Sequence, residues 1–195
     1  MYEEVIEVDE RVVLHQDRCE IKKDVPLVDG ISNDKIEVWK AVDRTKVYAD
    51  LKRAYDQGIR SLAVALVHSY TFPEHERVVE EIAREIGFEH ITVSSKIMPM
   101  VRYVPRGTTA ITDAYLTPHI RRYIDSFLAN FNDNFDQNKL LFMQSDGGLT
   151  SIDHFTGCRS ILSRILAIYL PAFCGNSFFS LHSKVDLQVV SSAML

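Results

Sequence analysis

Four consecutive residues, Ser145-Asp146-Gly147-Gly148, are the best suited to chemistry in this 195-residue chain. A short apolar run, Leu140-Leu141-Phe142-Met143, leads into them. Adjacent glycines let a backbone approach a phosphate closely and turn N–H groups toward it. A neighbouring aspartate can hold a metal ion or its waters. If the apolar run is a strand of a parallel sheet, the turn sits at its carboxyl end, where such sheets bind ligands. Taken alone, the same four residues read more simply as a tight turn, because Asp-Gly is a common turn pair.

Three further residues are candidates on the substrate side: His68, Arg102 and Arg106. His68 closes the apolar run Leu62–Val67, so it falls at a strand end. A hydrogen-bonded structural histidine is the plainer reading there. Arg102 and Arg106 flank Pro105, and planar guanidinium forks can clamp an anion. Equally, they can pair with nearby acids or face water. His15, His75, His90, His119, His154 and His182 show no metal-ligand spacing, and no metal site is expected. No GxSxG elbow, GxxxxGK[ST] loop or HExxH helix occurs, which weighs against those enzyme classes. No residue is matched to the role of catalytic base.

The elements that would position these residues follow from periodicity. Glu3 to Leu14 alternates loosely, as a half-exposed strand does. Asp24 to Asn33 has a loop composition. Asp43 can cap a helix whose inner face is Val47, Leu51, Ala54 and Tyr55, ended by Gly58. Leu62–Val67 suits a strand buried on both faces. Pro73 opens a second helix, with Val78, Val79, Ile82, Ala83 and Ile86 on one face and Gly87 as its stop. Glu74 and Glu76 suit the positive end of its dipole. Phe88 to Ser95 reads as another strand. Pro99, Pro105 and Gly107 make Ile97 to Thr109 a rigid connector. Ile120, Ile124, Phe127, Leu128 and Phe131 fall on one helical face, which Pro118 either starts or kinks. Residues 132–138 form a polar loop. Helix, strand, helix, strand is the α/β alternation that builds a largely parallel sheet.

Composition sets limits. The formal net charge of −5 argues against a broad nucleic-acid or anionic-membrane surface. Met1-Tyr2-Glu3-Glu4 lacks the basic start and apolar run of a secretory signal. Cys19, Cys158 and Cys174 are far apart and form neither a disulfide framework nor a CxxC pair, so a reducing, cytosolic setting is expected. Asp186 is the only acid of 27 that lies beyond Cys158, against the bases Arg159, Arg164 and Lys184. The last stretch thus differs in kind from the rest.

Several ordered segments carry a resemblance. They are Val8-Asp9-Glu10-Arg11-Val12, Gly58-Ile59-Arg60-Ser61-Leu62-Ala63-Val64, Leu66-Val67-His68-Ser69-Tyr70 and Pro73-Glu74-His75-Glu76. Next come Met98-Pro99-Met100-Val101-Arg102, Val104-Pro105-Arg106-Gly107 and Asp113-Ala114-Tyr115-Leu116-Thr117-Pro118. The last are Leu141 to Leu149 and Gly157 to Ser163. Together they resemble the ATP-dependent 5-oxoprolinases and the related hydantoinase A proteins, from the start to Ser163. The resemblance implies a partial actin-like, ribonuclease H-like α/β ATPase fold, with a mixed or parallel sheet and flanking helices. It implies hydrolysis of ATP to open 5-oxo-L-proline to L-glutamate in glutathione turnover. Phosphorylating the oxygen of a resonance-stabilised ring amide makes a better electrophile, which is the reason to spend a nucleotide. It divides the chain into residues 1–105 (end of the N-terminal region), 106–163 (start of the core domain) and 164–195 (a poorly ordered, non-family stretch).

Two departures touch nucleotide-binding elements. The family's first phosphate loop, Asp-x-Gly-Gly-Thr, has no counterpart here. After Ser163 the family continues Gly-Pro-Ala-Gly-Gly, where this chain reads Arg164-Ile165-Leu166-Ala167-Ile168. The expectation is therefore a fragment of a cyclic-amide hydrolase, inactive by itself, with Ser145–Gly148 as a surviving site loop. ATP and Mg²⁺ belong to the parent family, and none is expected on this chain. The alternative is a non-catalytic isoform acting by association, as a homodimer or with full-length 5-oxoprolinase. Neither nucleic acid nor membrane is an expected partner.

Overall fold

The computed structural model describes residues 2–16, 23–129, 141–160 and 168–169. In chain order these form β1 (Arg11–Leu14), β2 (Leu27–Asp29), β3 (Lys35–Lys40), α1 (Arg44–Asp56), β4 (Ser61–Val64), α2 (Glu74–Ile86), β5 (His90–Val93), α3 (Ser94–Ile97), α4 (Tyr103–Leu128), β6 (Leu141–Met143), β7 (Leu149–Ser151) and β8 (Ile168–Tyr169). Two 3₁₀ turns, Ile152–His154 and Gly157–Ser160, follow β7. Phe131, the polar loop 132–138, Cys19, Cys174 and all of residues 164–195 except 168–169 lie outside the described residues.

The class is mixed α/β, but the strands make three small sheets. β3 lies between β1 and β2, antiparallel to both. β4 and β5 pair in parallel, Ser61 to His90 through Val64 to Val93. β6 lies between β7 and β8, antiparallel to each. The expected largely parallel sheet is thus reduced, among the described residues, to one parallel pair.

The first two helices form for the reasons their sequences give. Asp43 Oδ1 accepts the Thr45 and Lys46 amides at 3.0 and 3.3 Å, so the first turn of α1 has its donors satisfied. Val47, Leu51 and Ala54 form its buried face. On α2, Val79, Ile82 and Ala83 are buried, and Gly87 ends the helix in the left-handed region. These faces meet Val64 and Phe88 in the main core. Tyr55 packs edge-on against Phe88 at 5.4 Å between ring centres.

Three expectations need correction. Only Arg11–Leu14 of the expected first strand is a strand. Ahead of it, Ile6 and Val8 pack on the core and Glu4 pairs with Arg53 of α1 at 3.0 Å. The strand expected over Leu62–Val67 ends at Val64, the one fully buried residue in it, because the Leu66 and Val67 carbonyls turn away to Arg106. Ile97–Thr109 is no rigid connector: α4 begins at Tyr103 and takes Pro105 into its first turn, where a missing N–H costs nothing. Of the two roles open to Pro118, starting the helix is excluded, since it lies inside α4. The carbonyl its missing N–H leaves open, that of Ala114, accepts the Ser61 hydroxyl at 2.5 Å.

Beyond Pro118, α4 carries Ile120, Ile124, Phe127 and Leu128 into a second, smaller core. Its buried members are Ile124, Phe142 and Phe155. This cluster fixes the β6–β7 hairpin against the body of the chain.

Candidate functional site

Ser145–Gly148 join two antiparallel strands rather than close a parallel one, as the tight-turn reading has it. The segment is a hairpin turn. Gln144 N donates to the Gly148 carbonyl at 2.7 Å, and Gly147 N donates to the Gln144 carbonyl at 3.0 Å. Gly147 takes φ +84°, a conformation that leaves glycine the natural occupant. Asp146 Oδ1 accepts the Gly148 amide at 2.9 Å, a side chain closing its own turn. Ser145 donates through both N–H and Oγ to the Arg159 carbonyl, each at 2.6 Å. Three of the turn's four amides therefore already have acceptors. Asp146 is exposed, and among the described residues no group of three His, Cys, Asp or Glu side chains could hold a metal ion.

The turn is braced by Gly157–Ser160. Gly157 is required by close approach: a Cβ there would sit 2.7 Å from Thr117 N and 2.9 Å from Leu116 Cβ. Its amide donates to Thr117 Oγ1 at 3.1 Å. The next amide, Cys158 N, donates to Asp113 Oδ1 at 2.9 Å, while Asp113 Oδ2 accepts the Thr92 hydroxyl at 2.9 Å. Buried Asp113 thus ties β5, α4 and the 3₁₀ turn together. Arg159 then reaches Gln144 Oε1 through Nη1 at 3.2 Å. Between α3, the first turns of α4 and this brace lies a cleft of about 500 Å³. Ile97, Met98, Val104 and Pro105 give it apolar lining, and Thr108, Thr109, Thr112, Cys158 and Arg159 give it polar atoms. Burial pushes the Cys158 thiol above its usual range, so it stays protonated at neutral pH.

Arg106 and Glu76 share a buried polar network behind the cleft; both side chains are 0% exposed. Glu76 Oε1 accepts the Leu66 amide at 2.9 Å and the Ser94 hydroxyl at 2.6 Å; Oε2 accepts the Ser95 amide at 3.0 Å. Arg106 donates to Ser94 Oγ, to the Met100 carbonyl and to the carbonyls of Leu66 and Val67. Four of its five N–H groups are thereby occupied by protein. Arg106 holds the turn after β4 rather than opening a fork toward a ligand. His68 lies in that turn, its Nδ1 buried without a hydrogen-bond partner, and burial lowers its pKa. Arg102 is exposed at the N-cap of α4. Among the described residues no hydrogen bond joins His68, Arg102 or Arg106 to Ser145–Gly148.

Sequence reasoning named Glu76 only for the helix dipole and did not single out Asp113 or Arg159. Glu76 had a signal, since an acid three residues before Val79 on an apolar helical face is marked for burial. Arg159 and Asp113 lay inside quoted motifs, but what they bind is set by contacts far along the chain.

Residues 1–87 match the model of the hydantoinase/oxoprolinase N-terminal region, and residues 106–164 match the hydantoinase/oxoprolinase model. The chain belongs to the hydantoinase/oxoprolinase family. Relatives in this family include 5-oxoprolinase 1 of Arabidopsis thaliana, 48% identical over 163 residues, and the 5-oxoprolinase of Dictyostelium discoideum, 46% identical over 168. Each match covers 84% of this chain and 13% of the relative, so the chain spans about an eighth of their length. The ATP-dependent caprolactamase of Pseudomonas jessenii, 21% identical, superposes with a TM-score of 0.54 over 69% of this chain and 22% of that one. That likeness establishes a shared fold for the matched part of this hydantoinase/oxoprolinase chain. Among the described residues no helix is long and apolar enough to cross a membrane.

Proposed function

We propose that residues 1–105 and 106–163 are two regions of an ATP-dependent cyclic-amide hydrolase, of actin-like architecture, that opens 5-oxo-L-proline to L-glutamate in the cytosol. The observation that carries this reading is the family match running through both regions, at 48% identity to 5-oxoprolinase 1. The geometry supports a role at the edge of a site, with Ser145–Gly148 held by Arg159 beside a cleft of ligand size. Three of the turn's four amides are already engaged, so a phosphate bound there would need donors from elsewhere in the enzyme. No chemical step is assigned to those residues.

A chimera tests the reading. Residues 1–163 of this chain replace the matching stretch of the Arabidopsis enzyme, and ATP-dependent glutamate release from 5-oxo-L-proline is measured. Retained turnover supports it, and a folded but inactive chimera counts against it. The 195-residue polypeptide by itself is expected to show no 5-oxoproline-stimulated ATP hydrolysis. Turnover above blank that is lost in Asp146→Ala would overturn that expectation.

One observation favours association as a second reading. Met98, Met100 and Val101 between α3 and α4, and Val104 in the first turn of α4, are exposed. A homodimer, or a complex with full-length 5-oxoprolinase, would cover them. Light scattering of the chain, alone and with the Arabidopsis enzyme, distinguishes these states.

A further inference from the structure

We propose that the apolar surface between α3 and α4, edged by Arg102 and Arg159, docks a second copy of this chain through that copy's residues 2–7. This rests on the association reading above and goes beyond it by naming the two faces that meet. The receiving face is apolar at its centre. Val101 is 65% exposed and Val104 72%, and Val104 also walls the cleft of about 500 Å³. Exposed aliphatic side chains at the mouth of an open cleft make a surface that a partner can cover.

The edge of this face is basic. Arg102 stands between those two valines in sequence, and Arg159 lines the same cleft. Both are exposed, and among the described residues neither pairs with an acid. Arg44, Arg53, Arg77 and Arg84, by contrast, are each paired with a carboxylate of the fold. Two exposed guanidiniums left without one are open to carboxylates of another molecule, which they can engage with two parallel bonds.

The presented face has the complementary chemistry. Ahead of β1, alternate side chains turn inward: Glu4 and Glu10 pair with Arg53 and His75 at 3.0 and 2.7 Å, while Ile6 and Val8 pack on the main core. Val5 points the other way and is 69% exposed. Glu3 and Glu7, on either side of it, are exposed and pair with no base among the described residues. Tyr2, next to Glu3, is exposed as well. One copy thus offers apolar side chains beside two unmatched carboxylates, and the other offers apolar side chains beside two unmatched guanidiniums. Covered aliphatic area supplies attraction, and ion pairs at its edge set register and approach. The two faces are different patches, so each copy gives one and receives the other, in a closed pair or an open chain.

The experiment is sedimentation and light scattering of the full 195-residue chain from micromolar to millimolar concentration. About 0.15 M salt is used, so that the net charge of −5 is screened beyond about 8 Å while contacting pairs are not. Self-association of the wild type is expected. Arg102→Glu by itself, and Glu3→Arg with Glu7→Arg by itself, are each expected to weaken it roughly tenfold or more. An equimolar mixture of these two variants is expected to associate again, because each reversed face meets its reversed counterpart. All three positions are exposed, and an unchanged circular dichroism spectrum verifies the fold. Val101→Ser is a further variant, expected to weaken association roughly threefold or more with no change of charge. Association as tight in both charge variants as in the wild type overturns the assignment and leaves a homodimer through other surfaces, so the two readings fail separately. Variants that weaken it but show no rescue on mixing overturn the pairing of these faces. A wild type that stays monomeric overturns it too, and binding to the Arabidopsis enzyme in that case keeps the association reading alone.

Discussion

The β4–α2–β5 layer and the β6–β7 hairpin are both built on strands of three or four residues, yet they are secured by different means. The first has seven buried apolar residues on one side and a buried polar network on the other. Its carboxylate and guanidinium reach three backbone segments, so the turn after β4 has little freedom. The hairpin rests on three buried apolar residues and on one backbone carbonyl that receives Ser145. Its turn stays exposed. The contrast separates two tasks: one region fixes a frame, and the other presents groups from it. A polar side chain in the frame is spent on holding the backbone, whereas Asp146 at the presented edge is exposed.

Four substitutions or conditions break or sharpen this contrast. The largest effect is expected from Glu76→Ala, which strips three donors of their acceptor and leaves Arg106 buried beside no carboxylate. A loss of about 3–5 kcal/mol in urea unfolding is expected. A loss below 1 kcal/mol would mean that water replaces the carboxylate and that the frame is softer than described. Phe142→Ala removes the fully buried ring of the smaller core, and about 3 kcal/mol is expected. The distinguishing readout is hydrogen exchange: amides of β6 and β7 should lose protection while those of α2 keep theirs. If α2 exchanges equally fast, the two regions form one cooperative unit.

Ser61→Ala leaves the Ala114 carbonyl without its donor, and about 1 kcal/mol is expected in thermal unfolding. Ser61→Thr, which restores a hydroxyl, should recover most of it. The smallest effect is a slope with pH. Burial lowers the folded-state pKa of His68, and also of His90, below the ordinary value of 6.5. The unfolded chain therefore binds more protons than the folded one just below pH 6.5, and stability falls as pH falls through that window. His68→Leu should flatten the slope in urea midpoints between pH 7 and 5.5, with the His90 share remaining. An unchanged slope would show that the His68 ring is hydrated in solution.

Much of the frame was readable in the sequence. The Asp43 cap, the Val47-Leu51-Ala54 face and the Val79-Ile82-Ala83 face are local patterns, and local geometry realises them. The polar network was not readable, because Glu76, Ser94 and Arg106 are brought together by turns far apart in sequence. The hairpin was only half readable, as a tight turn without its partner strand, for a different reason. An apolar run such as Leu141-Phe142-Met143 has the same pattern in a parallel or an antiparallel strand. Only its pairing with Leu149–Ser151 decides the matter, and that pairing makes Asp146-Gly147-Gly148 a hairpin turn. Pro105 and Pro118 read as interruptions, and each is accommodated: one by position in a first turn, the other by a hydroxyl from a distant strand.

That hydroxyl has a consequence for the order in which the molecule assembles. Most of a helix can form from neighbours alone, but α4 carries a vacancy at Ala114 that is filled from a residue 53 positions earlier. Its two halves are therefore joined securely only after β4 has docked. Before that, the segment up to Thr117 and the segment from Pro118 onward can form and dissolve separately. In the language of folding kinetics, one short-range element has been given a long-range closing contact, and the step that completes it is the arrival of a strand rather than the propagation of a coil.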